Sequence, residues 1–408
     1  MTSQRRSTYP GESAEPRVEH DANVWRIRSA EAVRQVLRER DATTQAGFAS
    51  ETVPSRRNDP ILFMDGEKHR QQRSKTARFF APKTVSTRYR ELMATRADDL
   101  VAEALTEDTF RLDQFSLRYS VEIAAQVIGL TNSPIGPMAT RLERFFEYPH
   151  GDAADARRGS SRFAKLRALI LGNIPMGAFY LFDVRPAIKA RRAEPAEDVI
   201  SHLVAEGYSD SEILIECVTY GAAGMVTTRE FISMCTWHLL TDDGLRRRYL
   251  DADQHERYLI LSEVLRLEPI VGHLFRRAQR DFAFTADGQT HQVRSGELLD
   301  LFIRQANSDE STVGAEPLQL RPGRDLPRGI GEEVMSFGDG PHKCPGNALA
   351  IQETDVLVRK LMALDLEVVQ EPTIGWDALI SGYSLRGFVL RARRPAPVAR
   401  AFVAGRTP

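Results

Sequence analysis

Apolar residues recur at spacings of three and four along much of the chain, and this pattern predicts a mainly helical protein. The pattern is sustained over residues 88–146. Another helix is predicted to begin at Ser209, where Ser-x-x-Glu with Glu212 is typical of a capping box, and to continue to about residue 240. Thirty-odd residues at 1.5 Å each span roughly 45 Å, so this helix is long enough to cross a domain.

Short strand-like stretches interrupt the helical pattern near both ends of the chain. One lies at Val24–Ile27, before a helical pattern, and others are predicted around residue 292 and over 298–303. Two terminal strands are expected at 366–369 and 385–392. The sequence therefore predicts small sheets beside a larger helical body.

Composition narrows the class of protein. A chain of 408 residues with 42% hydrophobic residues can bury a large core, although length alone suggests two or three domains. A net charge of −1 argues against nucleic-acid and anionic-membrane partners. The N-terminal residues to about 19 contain no apolar run, and the apolar stretch 166–184 is broken by polar residues, Gly and Pro. We therefore expect no signal peptide and no membrane anchor.

The three cysteines, Cys217, Cys235 and Cys344, are too few and too scattered for a disulfide framework or a thiolate zinc site. This cysteine usage fits a reducing cytoplasm. The surroundings of Cys344 are distinctive, because it lies in a glycine-rich turn that leads into a helical pattern.

The turn has the spacing Phe-x-x-Gly-x-His-x-Cys-x-Gly, formed by Phe337, His342, Cys344 and Gly346 with a further glycine. Pro345 follows the cysteine where a first helical turn begins, so Cys344 is expected at a helix N-terminus that favours the thiolate. A loop of this kind can present one thiolate to the iron of a haem. The alternative is a buried, inert cysteine in a glycine-rich turn.

This loop resembles the haem-binding signature of the cytochrome P-450 superfamily of haem-thiolate monooxygenases, and every fixed position is filled. The resemblance implies a mainly α, single-domain fold, with a long central helix over haem b and small β-sheets. It implies a haem domain over 21–396, preceded by a flexible segment 1–20 and followed by a tail 397–408. It also implies that Cys344 is the axial ligand of the iron, with Phe337, His342 and Gly346 against the cofactor.

A second element carries basic side chains. His69 and Arg73 are four residues apart and project from one face if the segment is helical. The stretch resembles the family's His-x-x-x-Arg element, whose side chains meet the haem propionates; a solvated basic helix face is the alternative. The resemblance also implies a basic residue near the propionates, just after the segment that lines the substrate pocket. We choose Arg276 over Arg277 for this role by its spacing to Ala278.

The middle of the predicted long helix resembles the family's Ala-Gly-x-(Asp/Glu)-Thr element, which passes over the distal face of the haem. Ala223 and Gly224 would open a groove for dioxygen, and the Thr227 hydroxyl would assist O–O cleavage. Val226 stands where the family has its acid. An ordinary helix threonine bonded to its own backbone is the alternative for Thr227.

The missing acid leaves three explanations open. Water ordered by Thr227 suffices, or Glu230, three residues further along the helix, substitutes for the acid. In the third, the enzyme uses peroxide or catalyses a reaction that depends less on proton delivery.

Other residues follow from the resemblance. Glu263 and Arg266 match the structural Glu-x-x-Arg element, with Arg324 as its expected third partner. The residues expected to line the substrate pocket are Met225, Val226, Val271, Leu274 and Tyr383.

The resemblance implies a cytoplasmic monooxygenase that oxidises a small, mostly apolar organic molecule, such as a secondary metabolite, with dioxygen. Electrons would come from NAD(P)H through a separate ferredoxin and ferredoxin reductase, because the chain has no nucleotide-binding glycine fingerprint after a strand. The ferredoxin would dock on the cysteine side, near Lys343. Two alternatives remain: an atypical catalyst, for oxidative coupling or peroxide-driven oxidation, and a haem protein that senses a ligand without catalysis.

Overall fold

The structure is a computed structural model, and it describes residues 4–47, 58–147, 175–377 and 382–393. The helices are α1 (Ala30–Arg38), α2 (Gly66–Phe80), α3 (Pro82–Thr84), α4 (Arg90–Thr106), α5 (Leu112–Ile128), α6 (Ile135–Glu147), α7 (Arg185–Ala193), α8 (Val199–Ala205), α9 (Asp210–Tyr220), α10 (Thr227–Thr241), α11 (Asp243–Asp251), α12 (Gln254–Leu267), α13 (Ile303–Ala306), α14 (Glu310–Val313) and α15 (Asn347–Met362). Short 3₁₀ turns lie at Ile61–Phe63 and Gly340–His342, and π-helical turns lie at Val85–Tyr89, Tyr180–Val184 and Gly221–Val226.

The strands are β1 (Val18–Asp21), β2 (Val24–Ile27), β3 (Thr43–Ala46), β4 (Phe110–Arg111), β5 (His273–Ala278), β6 (Phe282–Ala286), β7 (Gln289–Val293), β8 (Leu298–Phe302), β9 (Leu366–Gln370), β10 (Thr373–Asp377), β11 (Gly382–Arg386) and β12 (Val389–Ala392). The largest sheet has the order β1-β2-β8-β5-β3, and its β2 and β8 are parallel, with Val24 opposite Leu298. The other sheets are β4-β12-β9, the hairpin β10-β11 and the hairpin β6-β7. The predicted mainly α fold with small sheets is confirmed.

Two apolar cores stabilise these layers. The larger one is helical and is centred on α5, α10, α12 and α15, which pack against one another. The smaller one lies between α1 and the five-stranded sheet. Burial of large apolar side chains in both cores drives folding.

The long helix runs from Asp210 to Thr241 as α9, a π-helical turn and α10 in unbroken succession. Its predicted capping box is present, because the Ser209 hydroxyl accepts from the Glu212 N–H and the Glu212 side chain accepts from the Ser209 N–H. The widening at Gly221–Val226 falls where the sequence has two glycines, which weaken the α-helical hydrogen-bond ladder.

The N-terminal stretch was expected to be flexible over 1–20, but within it Arg5, Arg6 and Ser7 are packed against the rest of the protein. The Glu268 carboxylate is buried at the end of α12 and accepts hydrogen bonds from the Ser7 and Arg6 N–H groups. Arg5 donates to Leu267 O at 2.8 Å and to Arg304 O at 2.9 Å. Hydrophobic periodicity does not predict this packing, because the stretch has no apolar run and is held by buried ionic and backbone hydrogen bonds.

Several predictions fall on residues outside the described ranges. The apolar stretch 166–184 is described only from residue 175 onward, where the chain is helical and continues through a π-helical turn into α7. The expected tail, 397–408, also lies outside the described residues. The predicted bounds of the haem domain stay a prediction.

Candidate active site

A cavity of about 740 Å³ lies between α2, the end of α1 and the turn that precedes Cys344. His69, Arg73, Arg276 and His342 all line it, so the structure brings together four residues that are widely separated in sequence. Arg277 does not line this cavity, and its guanidinium donates to Gly296 O. The choice between the two adjacent arginines therefore agrees with the geometry.

The two histidines stack on each other, with ring centroids 4.0 Å apart. His342 Nε2 lies 3.0 Å from Asp65 Oδ1, and Asp65 Oδ2 accepts the Gln45 N–H at 2.9 Å. Burial lowers the pKa of His69 to about 4, and the neighbouring His342 and Arg73 contribute to this. Burial also lowers the pKa of His342, although the Asp65 hydrogen bond opposes it. Both rings are therefore neutral N–H donors at pH 7.

Asp65 was missed in the sequence analysis. Its position four residues before His69 was the available signal, because a carboxylate ahead of the basic pair can orient a histidine brought in from another segment.

The positive charge in the cavity comes from Arg73 and Arg276. Arg276 is 4% exposed, and burial lowers its pKa to about 10, with Asp65 as the acidic group that opposes the shift. Arg73 donates to the Lys343 carbonyl, and burial lowers its pKa also. Neither guanidinium forms an ion pair with a carboxylate in the described residues. Buried cations of this kind are stabilised by an anionic group between them, and two propionates would supply it.

The Cys344 thiol lies inside the protein beside Arg73. The Cys344 N–H donates to Phe337 O at 2.8 Å, which closes the turn, and the Gly346 N–H points to the sulfur. Burial raises the pKa of the thiol, whereas the Gly346 N–H, Arg73 and Lys343 act in the opposite direction. This donor set stabilises negative charge on sulfur, as a thiolate ligand to iron requires.

Asp339 holds the cysteine turn against α1. Its carboxylate accepts from Arg34 Nε and Arg38 Nε, each at 2.9 Å, and from the Gly340 N–H at 2.7 Å. Gly340 has φ +68°, and a Cβ at this position would clash with the Leu37 carbonyl oxygen. Only glycine allows so close an approach. Asp339 was not singled out from the sequence, because its partners lie about 300 residues away.

The Glu-x-x-Arg element is fully buried. Glu263 pairs with Arg266 at 2.6 Å and with Arg324 at 3.0 Å. Asn307 connects this cluster to the cysteine turn, since its amide donates to Arg266 O and to the Ser336 hydroxyl. These residues act on the site by fixing the backbone before Cys344.

The π-helical turn at Gly221–Val226 presents an accessible stripe just before the buried residues 228–239 of α10. Ala223 is exposed, and Gly224 and Thr227 are partly accessible. The Thr227 hydroxyl donates to Ala223 O at 2.6 Å, which is the backbone bond anticipated as the alternative. The Ser120 hydroxyl on α5 donates to Met225 O at 2.8 Å and ties the widened turn to the core.

Glu230 does not lie with Thr227 as a proton donor. It is 1% exposed, and its carboxylate accepts from Arg386 Nη1 at 2.7 Å, from the Leu385 N–H at 2.7 Å and from Arg229 Nε at 2.9 Å. The prediction rested on helical spacing alone. The carboxylate instead anchors β11, because three donors converge on it.

The predicted pocket residues divide into two groups. Val271 and Leu274 are partly accessible, and Leu274 lies close to Gly338 of the cysteine turn. Met225, Val226 and Tyr383 are buried, and the Tyr383 hydroxyl donates to Glu268 O at 3.2 Å. The side chains of these three residues pack into the protein interior, and their assignment to the substrate pocket stays a prediction.

Comparisons with known proteins agree with this architecture. A family model described as Cytochrome P450 matches residues 258–371. Cytochrome P450(BM-1) of Priestia megaterium is 23% identical over 360 residues, which is 84% of this chain and 82% of that protein. The steroid C26-monooxygenase of Mycobacterium tuberculosis is 31% identical over 215 residues, which is 49% of this chain and 54% of that protein.

Two solved structures show the same fold. CYP109B1 from Bacillus subtilis superposes with a TM-score of 0.73 at 22% identity, covering 92% of this chain and 96% of that one. A mutant of P450 EryK in complex with erythromycin B superposes with a TM-score of 0.74 at 22% identity, covering 94% and 95% of the two chains.

Fold and site thus define a haem-binding oxidoreductase of mainly α architecture. The chain is similar to cytochrome P450 enzymes over most of its length, and its residues 258–371, which include the cysteine turn, match the family model. Enzymes of this family are monooxygenases that use haem b, and the buried cations and the cysteine turn fit that cofactor. Among the described residues, no helix has both the length and the apolar character to cross a membrane.

Proposed function

We propose that this protein is a haem-thiolate monooxygenase in which Cys344 is the axial ligand of the iron. The observation that carries the proposal is the Cys344 thiol, which receives the Gly346 N–H and lies beside the buried cation of Arg73. Haem iron with a thiolate ligand supplies the activation of dioxygen for insertion of one oxygen atom into an organic substrate.

The residues around the cofactor hold and orient it. Arg73 and Arg276 would neutralise the propionates, and His69 would donate its N–H group to them. His342 would stand beside them, with its single N–H donated to Asp65. Asp65 fixes the orientation of the His342 ring through their 3.0 Å contact. Phe337 and Gly346 belong to the turn that would lie against the haem, and Asp339 holds that turn in place.

On the opposite side, the accessible stripe of the long helix would leave room for dioxygen. Ala223 and Gly224 present little side chain there, and Thr227 holds a hydroxyl that can exchange its backbone bond for one to a ligand. Val271 and Leu274 supply an apolar wall. These features favour a small, mostly apolar organic substrate.

Relatives suggest which compounds to test first. One relative is a steroid C26-monooxygenase, and CYP109E1 from Bacillus megaterium was solved in complex with corticosterone and with testosterone. We therefore propose a library of steroids and other apolar metabolites. Electrons would come from NAD(P)H through a ferredoxin and its reductase, docking beside Lys343, which forms an ion pair with Glu333 at 3.3 Å.

The experiment supplies the purified enzyme with NADPH, a surrogate ferredoxin and reductase, and the library under ¹⁸O₂. We expect a product that contains one labelled oxygen atom. Cys344→Ser should abolish the product, whereas Cys217→Ala, which changes another buried cysteine, should retain it. A Cys344→Ser variant that still forms labelled product would contradict the proposal.

A second candidate is peroxide-driven oxidation, which Val226 and the anchored position of Glu230 favour. Here the oxidant brings its own protons, so no acid on the helix is needed. Product formed with hydrogen peroxide, together with none formed from the redox proteins, would establish this candidate. Efficient product formation with the redox proteins would exclude it.

A further inference from the structure

The N-terminal residues 5–12, called the strap below, contact two segments that lead into the candidate site. The first is 269–274, called the wall segment, which follows α12 and carries Val271 and Leu274 of the apolar wall. The second is the β10–β11 hairpin, whose β11 packs against α10. What fixes these segments also fixes the shape of the cavity in which a substrate would bind, so the inference rests on the proposed function.

Glu268 joins the strap to the wall segment. Its carboxylate accepts the Ser7 N–H at 3.0 Å, and it also accepts the Ser7 hydroxyl and the Arg6 N–H. Glu268 Oε1 lies 3.1 Å from His238 Nε2 on α10, and the Glu268 carbonyl oxygen accepts the Tyr383 hydroxyl of β11 at 3.2 Å. The residue directly before the wall segment is thus bonded to the strap, to the long helix and to the hairpin.

Glu268 carries its negative charge at neutral pH. Although burial acts to raise the pKa of this carboxyl group, the hydrogen bonds from His238, Ser7 and the Arg6 N–H lower it to about 2. A buried carboxylate that loses a donor is strongly destabilised, because its charge is then less well satisfied. Movement of Ser7 away from Glu268 is therefore costly, and the strap and the wall segment are fixed together.

Glu12 closes the strap over Arg304. Its carboxylate forms ion pairs with Arg5 at 2.9 Å and with Arg304 at 3.0 Å, and it accepts the Tyr9 N–H at 3.0 Å. Arg304 is 2% exposed, and its guanidinium also donates to the Ser7 hydroxyl. Because these bonds converge on one carboxylate, loss of the Glu12 charge should loosen the whole strap.

The strap reaches the hairpin through Trp376 of β10. The Tyr9 ring meets the Trp376 ring edge-on, with centroids 4.8 Å apart, and the Arg304 guanidinium lies over the same indole at 5.1 Å. Both kinds of contact are attractive and depend on orientation. Trp376 stands opposite Tyr383 in the hairpin. One strand of the hairpin is therefore bonded to the strap and the other to Glu268.

We propose that the strap sets the substrate selectivity of this protein by holding the wall segment and the β10–β11 hairpin in one position relative to α10. In the wall segment, Leu274 lies beside Gly338 of the cysteine turn. In the hairpin, the Leu385 N–H is bonded to Glu230, which lies one turn after Thr227. Each segment thus ends at an element of the site. The strap residues act through these segments, so they are positioning residues and not catalytic ones.

The first test is amide hydrogen exchange of the full-length protein, measured by mass spectrometry. In Glu12→Gln, peptides that cover 269–274 and 382–386 should exchange about tenfold faster, because hydrogen bonds to charged groups contribute at least this factor to local stability. Exchange over 282–293, the β6–β7 hairpin, should be unchanged. Wild-type exchange rates at 269–274 and 382–386 would overturn the proposal.

Arg17→Gln is the matched control for this test. Like Glu12, Arg17 lies in the N-terminal stretch and forms two ion pairs, with Asp287 at 2.9 Å and with Asp309 at 2.8 Å. Its partners lie between β6 and β7 and directly before α14, not on the wall segment or the β10–β11 hairpin. The control should leave exchange at 269–274 and 382–386 unchanged. Equally fast exchange in both variants would show general destabilisation and would overturn the proposal.

The second test measures selectivity with two azoles that bind haem iron. Imidazole is small, whereas phenylimidazole adds a ring that must fit against the cavity wall. We expect Glu12→Gln and Ser7→Ala to raise the Kd for phenylimidazole about fivefold or more, since misfit of an apolar group in its pocket typically costs a factor of this order. The Kd for imidazole should not change. Equal changes for both azoles, or no change for either, would overturn the proposal.

Failure of this proposal differs from failure of the proposed function. A wild-type protein without the thiolate haem spectrum would contradict the proposed function, whereas hydrogen exchange reports on the strap alone. If Glu12→Gln does not fold, Tyr9→Ala replaces it, because Tyr9 is half exposed and contacts Trp376. Tyr9→Ala must then speed exchange at 382–386, and wild-type exchange there would overturn the proposal.

Discussion

The cysteine turn and the middle of the long helix both approach Arg73, yet they are built in opposite ways. The turn is fixed at almost every residue: Asp339 binds two arginines, Gly340 lies against α1, and the Cys344 N–H closes on Phe337 O. The helix is widened at Gly221–Val226, and Ala223 is exposed there. A ligand to iron needs a fixed position, whereas a site for a small reactant needs space.

The same contrast separates the residues that stabilise the helix from those that face the site. Glu230 lies one turn from Thr227 but is bonded to β11, and the accessible stripe contains no charged side chain among the described residues. The described part of the stripe therefore offers no acid of its own. The following variants test the division between fixed and open regions.

The largest effect on stability is expected for Glu230→Gln. Loss of the charge leaves Arg229 buried with its remaining partner Glu143, and breaking a buried ion pair typically costs about 3 to 5 kcal/mol. We expect a decrease of about 3 kcal/mol in the free energy of unfolding, measured in urea. Peroxide release per NADPH should stay at the wild-type value, and a rise without loss of stability would mean that Glu230 supplies protons after all.

Gly340→Ala tests the close packing of the cysteine turn. The added Cβ would meet the Leu37 carbonyl oxygen and lie 2.9 Å from Arg38 Cα, at a positive φ. We expect a loss of roughly 2 to 3 kcal/mol in unfolding free energy, together with reduced haem retention. Gly288→Ala is the control, since it has a similar φ of +75° and open space around it. Equal decreases in unfolding free energy in both variants would show that the positive φ alone, and not the contact with α1, accounts for the loss.

Asp339→Asn tests the ionic attachment of the turn, with an expected loss of about 1 kcal/mol at pH 7. Although burial acts to raise the pKa of Asp339, the Gly340 N–H, Arg34 and Arg38 lower it below its ordinary value. The stabilisation is therefore complete above the unfolded-state pKa of about 3.9 and disappears as pH falls through the lower folded-state pKa. Wild type and variant should converge in stability at that acidic end; a difference that persists there would exclude the ionic explanation.

Thr227→Val should have the smallest effect on stability. The hydroxyl bonds its own helix backbone, so the unfolding free energy should change by no more than about 0.5 kcal/mol. Peroxide release should nevertheless increase, because the open region loses its only hydroxyl on the stripe among the described residues. Thr227→Ser is the control that keeps the hydroxyl, and the two variants should differ in coupling.

Sequence and structure agree best where one short segment carries the signal. The helix from residue 209, the small sheets and the convergence of His69, Arg73 and Arg276 all follow from local patterns or motif spacing. Asp65 and Asp339 were missed because each acts on a residue remote in sequence. Met225 and Tyr383 were assigned to the pocket by the family resemblance, which does not fix the direction that each side chain of a helix or strand faces, and both are buried.

The packed N-terminus shows the same limitation. Polar composition favours a flexible segment, yet Ser7 is buried because the Glu268 carboxylate accepts its N–H and hydroxyl groups. The partner of a buried polar group cannot be inferred from the polar stretch alone.

The most direct measurement of the central claim is the absorption spectrum of the dithionite-reduced protein under carbon monoxide, recorded for wild type, Cys344→Ser and Cys217→Ala. A far red-shifted Soret band in wild type and Cys217→Ala, lost in Cys344→Ser, is the predicted result. A histidine-like Soret band in wild type, or the red-shifted band persisting in Cys344→Ser, would contradict Cys344 as the thiolate ligand.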